Sequence, residues 1–191
     1  MDPVHADLLA LAGQEPFGRV IDVGCGRGQL CVALLEAGLA DSALGLDRQE
    51  RALAQGRRAA TGLPFQLEAR DLAVAGAIDV ADTVMLIDVL YQLDWAAQTE
   101  LLRQAASAAR SRIVLRMADP EAGWRFRFTR GSERLFRRVW PNSGTHVNHL
   151  GLQPVTAILA ESGFTAESVP CSRGTPFANV LLVARRHPSQ P

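Results

Sequence analysis

The segment RVIDVGCGRGQLCVALLEAG, residues 19–38, constrains the fold more than any other part of the chain. A short apolar run leads into three alternate glycines, Gly24, Gly26 and Gly28, and then into a helical pattern that stops at Gly38. β-Branched residues suit a pleated strand, and glycine lets the backbone turn at once and approach a ligand closely. Apart from Asp22 the strand offers water no polar face, so it belongs inside a sheet covered on both sides.

The same rhythm recurs downstream. SALGLD reads as a second strand and QERALAQGRRAA as a helix; FQLEARD and the almost wholly apolar DTVMLID read as strands three and four. WAAQTELLRQAASAAR is a helix and RIVLRM a fifth strand, with residues 5–12 a short leading helix. Strands alternating with helices of about a dozen residues argue for a parallel sheet with helices on both faces. After strand five the rhythm breaks over residues 118–150, then returns as the helix LQPVTAILAESG and two strands, FTAESVP and ANVLLVARR. CSRGTP lies between these last two, a hairpin-like spacing that makes them antiparallel. No repeat or linker interrupts the chain. At 191 residues it is expected to be one domain, 1–191, with an insertion at 118–150.

Charge and cysteine content exclude several classes. The formal net charge is zero, which argues against a protein held to nucleic acid by bulk electrostatics. Every one of the 20 basic residues is arginine, a sign of codon usage before chemistry. Cys25, Cys31 and Cys171 are odd in number and lack metal-ligand spacing, so they fit reduced thiols, and no metal site is expected. MDPVHADLLALAG has no basic region of a signal peptide, and the apolar runs are too short to span a bilayer; a cytoplasmic location is the expectation.

A glycine loop between strand and helix serves several kinds of nucleotide binder. The nicotinamide-cofactor pattern needs a third glycine where Gln29 stands, and a phosphate-binding P-loop needs a lysine that this chain lacks. Asp47 ends strand two, where a carboxylate can take both hydroxyls of a ribose, or cap the helix that follows. Asp71 follows strand three, in reach of an exocyclic amine, and Asp88 ends strand four beside the same crevice. In this order, VIDVGCGRG, LGLD, ARD and LIDVLYQLD resemble the class I S-adenosylmethionine-dependent methyltransferases, over residues 17 to about 117 and in outline beyond. The resemblance implies an α/β, doubly wound, seven-stranded Rossmann-like sheet with a terminal antiparallel strand pair, and S-adenosylmethionine as cofactor. It also implies that Asp22 and the loop Gly24–Gly28, with Cys25 and Gly26, hold the methionine moiety and Asp47 the ribose. Arg48, Asp71 and Leu72 then surround the adenine, and Asp88 borders the sulfonium.

The acceptor is read from whatever lies beyond the sulfur. DVLY, Asp88 to Tyr91, lacks the paired prolines by which amino-methylating DNA enzymes resemble one another. It is more similar to small-molecule and quinone-type methyltransferases, with Tyr91 a pocket or a structural residue. Residues 125–138 hold six arginines against the single Glu133. Trp124, Phe126 and Phe128 alternate with Arg125 and Arg127, and in a strand aromatics and guanidinium groups would face opposite ways. The block reads as a solvated lid, or as a lid whose Trp124, Arg125 and Arg127 grip an acidic small acceptor or dock an acidic carrier protein. His146 and His149 are candidates for a general base, or for capping the next helix. The tail WPNSGTHVNHLGLQPVTAILAESGF…GTPFANVLLVARR is similar to small bacterial methyltransferases of fatty-acid, polyketide-like or aryl-polyene pathways, which implies an aromatic or acyl acceptor, small or carrier-bound. Two alternatives stay open: an RNA methyltransferase, and a non-catalytic protein that binds S-adenosylmethionine.

Overall fold

The computed structural model describes residues 3–71, 78–119, 122–129, 131, 148, 150–171 and 176–187. Helix α1 (Pro3–Gln14) precedes β1 (Arg19–Val23), α2 (Gln29–Glu36), β2 (Ser42–Asp47), α3 (Glu50–Ala59), β3 (Phe65–Ala69) and β4 (Ala81–Ile87). Then come a 3₁₀ turn (Leu90–Gln92), α4 (Trp95–Ala108), β5 (Ala109–Ala118), α5 (Leu152–Glu161), β6 (Phe164–Pro170) and β7 (Asn179–Arg186). The seven strands form one sheet in the order β3-β2-β1-β4-β5-β7-β6. The first five are mutually parallel, and β7 is antiparallel to both β5 and β6. This is the doubly wound α/β sheet with a terminal antiparallel pair that the sequence predicts.

Alternation along β1 sorts the core. Ile21 and Val23 pack with Leu44, Leu46, Val84, Leu86, Leu101, Leu102, Val155 and Leu159 under α4 and α5. Val20 packs on the opposite face with Val4, Leu8, Leu30, Leu34, Met85 and Val114 under α1 and α2. Asp22 shares that second face and is buried there. The chain winds outward from β1 in one direction and from β4 in the other. The C-terminal ends of these neighbouring strands therefore splay apart and leave a crevice at the switch point.

Two expectations are corrected. The helix pattern through Arg110 stops at Ala108 and β5 begins at once, because the Arg186 guanidinium takes the Ala106 and Ala109 carbonyls at 2.7 and 2.8 Å and closes the helix end. Residues 124–129 are helical, so the Trp124–Phe128 alternation does not sort aromatics from arginines across a strand. The Thr129 hydroxyl donates to the Arg125 carbonyl one turn back and accepts from the Ala178 amide at 3.0 Å, docking this turn on the start of β7.

Candidate functional site

The crevice has a volume of about 320 Å³ and opens at the C-terminal ends of β1, β2 and β4. That size lies at the lower end of small-molecule sites. Its near wall is the glycine loop. Gly24 and Cys25 amides both donate to the Leu46 carbonyl, at 2.7 and 3.1 Å, so the loop stays hooked to β2 after β1 has ended. The three glycines do different things. Gly24 lies under Val89, whose Cγ2 would be 2.7 Å from an added Cβ; Gly26 has nothing within 4 Å of that position and faces the crevice. Gly28 caps α2 in a left-handed conformation with φ +66° and abuts the Phe65 ring, away from the crevice lining.

The neighbouring loop residues also turn inward. Gly45 leaves room for the Cys25 side chain, whose Sγ would be 2.7 Å from a Cβ there, so Cys25 packs on β2 and Leu67 and its side chain does not line the crevice. Asp22 lies beneath the loop, 3% exposed, and accepts from the Cys31 thiol at 3.7 Å. Burial pushes its carboxyl up to about 7; the Cys31 hydrogen bond lowers it somewhat and the charge of Asp47 raises it further. The same burial, with Asp22 close by, raises the Cys31 thiol well above its ordinary range.

Asp47 ties the near wall to the next one. Its Oδ2 accepts from the Gly26 amide at 2.9 Å and its Oδ1 from the Gln49 amide at 2.8 Å. It does not cap α3, whose N-cap is Gln49. Arg48, Gln49 and the exposed Asp71 continue the rim. Leu72, His146 and His149 lie outside the described residues.

The far wall runs from Asp88 to Leu93. Asp88 has φ +58°, the left-handed region that L-residues avoid and aspartate tolerates best. Arg116 Nη1, from the buried face of β5, donates to Asp88 Oδ2 at 2.7 Å, and Gln92 Nε2 donates to the Asp88 carbonyl at 2.8 Å. Tyr91 lines the crevice, and its carbonyl accepts from the Asn148 amide at 2.9 Å. Gln98, 1% exposed on α4, donates to the Leu93 and Asn148 carbonyls at 2.9 and 2.8 Å, while Asn148 Nδ2 donates to Leu93 at 3.2 Å. Arg116, Gln98 and Asn148 were not singled out from the sequence. The signal for Arg116 was a cation inside the apolar RIVLRM; Gln98 and Asn148 carry no local signal.

The described residues of the arginine block stand outside the lining of this crevice. Trp124 and Arg127 are exposed, and Arg125 spends an N–H on the Phe177 carbonyl at 2.8 Å; none of the three lines the crevice. Among the described residues no cluster of histidine, cysteine or carboxylate groups could hold a metal ion, and no helix is long and apolar enough to cross a membrane.

A sheet of this order, with a glycine loop after β1, a carboxylate after β2 and a crevice between β1 and β4, defines a nucleoside-binding α/β protein. The chain belongs to the methyltransferase domain family, whose model matches residues 2–169, and it is an S-adenosylmethionine-dependent methyltransferase. Among solved structures it is similar to magnesium protoporphyrin IX methyltransferase from Synechocystis PCC 6803 with bound S-adenosylhomocysteine. That pair shares 25% identity and a TM-score of 0.74, covering 96% of this chain and 82% of that one. The N-methyltransferase NodS from Bradyrhizobium japonicum WM9, also with S-adenosylhomocysteine, shares the fold at 20% identity and TM-score 0.69, over 97% of this chain and 86% of that one. A methyltransferase from Mesorhizobium loti shares it at 22% identity and TM-score 0.72, over 94% and 96%. No curated protein sequence matches significantly.

Proposed function

We propose that the crevice holds the adenosine half of S-adenosylmethionine beside Asp47, Arg48 and Asp71, with the methionine half passing over Gly24 and Gly26. The methyl group is then delivered at the Asp88–Tyr91 end to an aromatic or acidic acceptor, small or carrier-bound. One observation carries this reading: the open face of Gly26 lies beside a carboxylate that the Gly26 and Gln49 amides hold in place. A carboxylate offers about four acceptor positions, and the two amides occupy two of them, so capacity remains for a pair of ribose hydroxyls. In this reading Asp22, Cys25 and Gly28 shape the loop from behind and do not touch the cofactor.

When bound, the cofactor supplies an activated methyl group. The chain aligns donor with acceptor, keeps water out, and holds a base where the acceptor is a poor nucleophile. Tyr91 stands at the right end of the crevice for alignment, with His146 and His149 of segment 118–150 as bases for an oxygen acceptor. Trp124, Arg125 and Arg127, outside the crevice lining, would offer a surface suited to a carboxylate or to an acidic carrier. The name of the Synechocystis neighbour gives a porphyrin as its substrate, a flat aromatic, which supports an aromatic acceptor here.

Calorimetric titration with S-adenosylmethionine and S-adenosylhomocysteine tests the cofactor half. Asp47→Ala is expected to weaken both by about tenfold or more, since a hydrogen-bonded carboxylate contributes about 1.5–3 kcal/mol. Unchanged affinity would remove Asp47 from the ribose. Labelled methyl transfer to free aromatic acids, to their carrier-bound forms and to RNA tests the acceptor half, and transfer to RNA alone would overturn it.

A further inference from the structure

We infer that Arg116 tunes the charge at the methyl-donor end of the crevice: paired with Asp88, it sets how strongly the site prefers cationic S-adenosylmethionine over S-adenosylhomocysteine, which is neutral at sulfur. The inference rests on the cofactor placement proposed above.

Arg116 sits within the apolar run Ile113–Ala118 of β5 and is 7% exposed. Packing alone does not explain it, since a charge taken out of water is costly unless paired, and an apolar side chain would fill that strand position more favourably. Its place in the sheet does explain it. Arg116 is in register with Ile87 of β4, the residue before Asp88, and reaches the Asp88 carboxylate at 2.7 Å. The Arg116 side chain is 8% exposed and that of Asp88 38%, so the cation stands behind the carboxylate and the carboxylate faces the crevice. A ligand there meets an ion pair in place of a bare anion. The left-handed Asp88 backbone is held by the same contact and by Gln92, which fixes the direction in which the carboxylate points.

This arrangement matters because methyl transfer discharges the sulfonium. A bare carboxylate beside it would stabilise the ground-state cation more than the transition state and so slow the step. Arg116 offsets that grip while keeping Asp88 oriented. It acts through Asp88 and is a positioning residue.

The test is calorimetry on the full chain with each ligand in turn, reading the ratio of the two dissociation constants, S-adenosylhomocysteine over S-adenosylmethionine. Removing or adding one unit charge beside a partly solvated site changes such a ratio by about fivefold. Arg116→Met is expected to raise the ratio by about that factor and Asp88→Asn to lower it by about the same, because each leaves the opposite charge in excess. The double variant restores the ratio to within about twofold of the parent, and Arg116→Lys, which keeps the charge, leaves it in place. A purely structural role predicts that both affinities weaken together at constant ratio, and that result overturns the inference. Should Arg116→Met fail to fold, Asp88→Asn at a partly exposed carboxylate and Arg116→Lys carry the same comparison. If the parent binds neither ligand, the cofactor placement fails first and this inference with it; binding with an unmoved ratio sinks the inference alone.

Discussion

Replacing Gly26 and Gly28 by alanine, one at a time, separates the two duties of the glycine loop. Both have positive φ, +56° and +66°, so each substitution carries a left-handed penalty of about 1–2 kcal/mol. At Gly28 a Cβ would also stand 2.5 Å from Phe65 Cζ and 2.6 Å from Cε1. Phe65 is packed against the cluster of Leu53, Ala60 and Leu67, so the ring has little room to withdraw. Overpacking of this kind adds about 1–3 kcal/mol, for a total near 2–5 kcal/mol. At Gly26 nothing lies within 4 Å, and the backbone penalty of about 1–2 kcal/mol stands alone.

The order reverses for the ligand. Gly26 lines the crevice and Gly28 does not, so Gly26→Ala should raise the dissociation constant for S-adenosylhomocysteine by about tenfold, or 1.4 kcal/mol, and Gly28→Ala by less than about threefold. Urea unfolding followed by circular dichroism gives the stabilities, and calorimetry of the folded variants gives the affinities. Adding Phe65→Leu to Gly28→Ala should recover the steric part of the loss and leave the backbone part. A Gly26→Ala protein that is the less stable of the two, or that binds like the parent, would refute this division.

Two further outcomes follow from buried groups. The Asp22 carboxyl lies near 7 in the folded chain against an ordinary value of 3.8, so the folded state binds the extra proton. Its contribution is therefore fully present below about pH 4 and is lost as pH rises through 7. Asp22→Asn should flatten that decline and be the more stable protein at pH 8 by a few kcal/mol, on the order of 2–4, as read by urea unfolding at several pH values; a variant less stable at pH 8 would count against the assignment. Arg186→Ala should cost about 2 kcal/mol, because it frees the Ala106 and Ala109 carbonyls and removes the stack on Phe164 at 4.5 Å. A melting temperature within 1–2 °C of the parent, where about 2–4 °C per kcal/mol is usual, would argue against that role.

The sheet was legible because its inner strands are buried on both faces and so read as nearly continuous apolar runs; the two edge strands, β3 and β6, carry the exposed residues. The three-residue difference at the start of β5 arises where no chain lies between helix and strand. The end of α4 is set by Arg186, 77 residues away from Ala109, and no local pattern reports such a partner. The arginine block was read through its alternation, and that period lost to docking on Phe177 and Ala178.

The site divides along the same line. Its near wall is made by short-range contacts: Asp47 and Gly26 are 21 residues apart, and one strand–loop–helix–strand unit brings them together. A unit of that length leaves a motif, which is why Gly24, Gly26 and Asp47 could be singled out as crevice residues, while Asp71 and Asp88 were marked by their places at the ends of strands three and four. The same motif includes Asp22, Cys25 and Gly28, which do not line the crevice, since spacing records that a residue is in the loop and not which way its side chain faces. Gly45 and Phe65, from two other strands, decide that. Behind Asp88 and Tyr91 the far wall has no motif. Gln98 and Asn148 are 50 residues apart, Asp88 and Arg116 are 28 apart, and each pair meets only once the sheet has formed. The near wall can therefore be read from a stretch of sequence. The far wall, proposed above as the acceptor side, depends on long-range polar contacts, so substitutions at Gln98, Arg116 and Asn148 are the ones to make when the acceptor is sought.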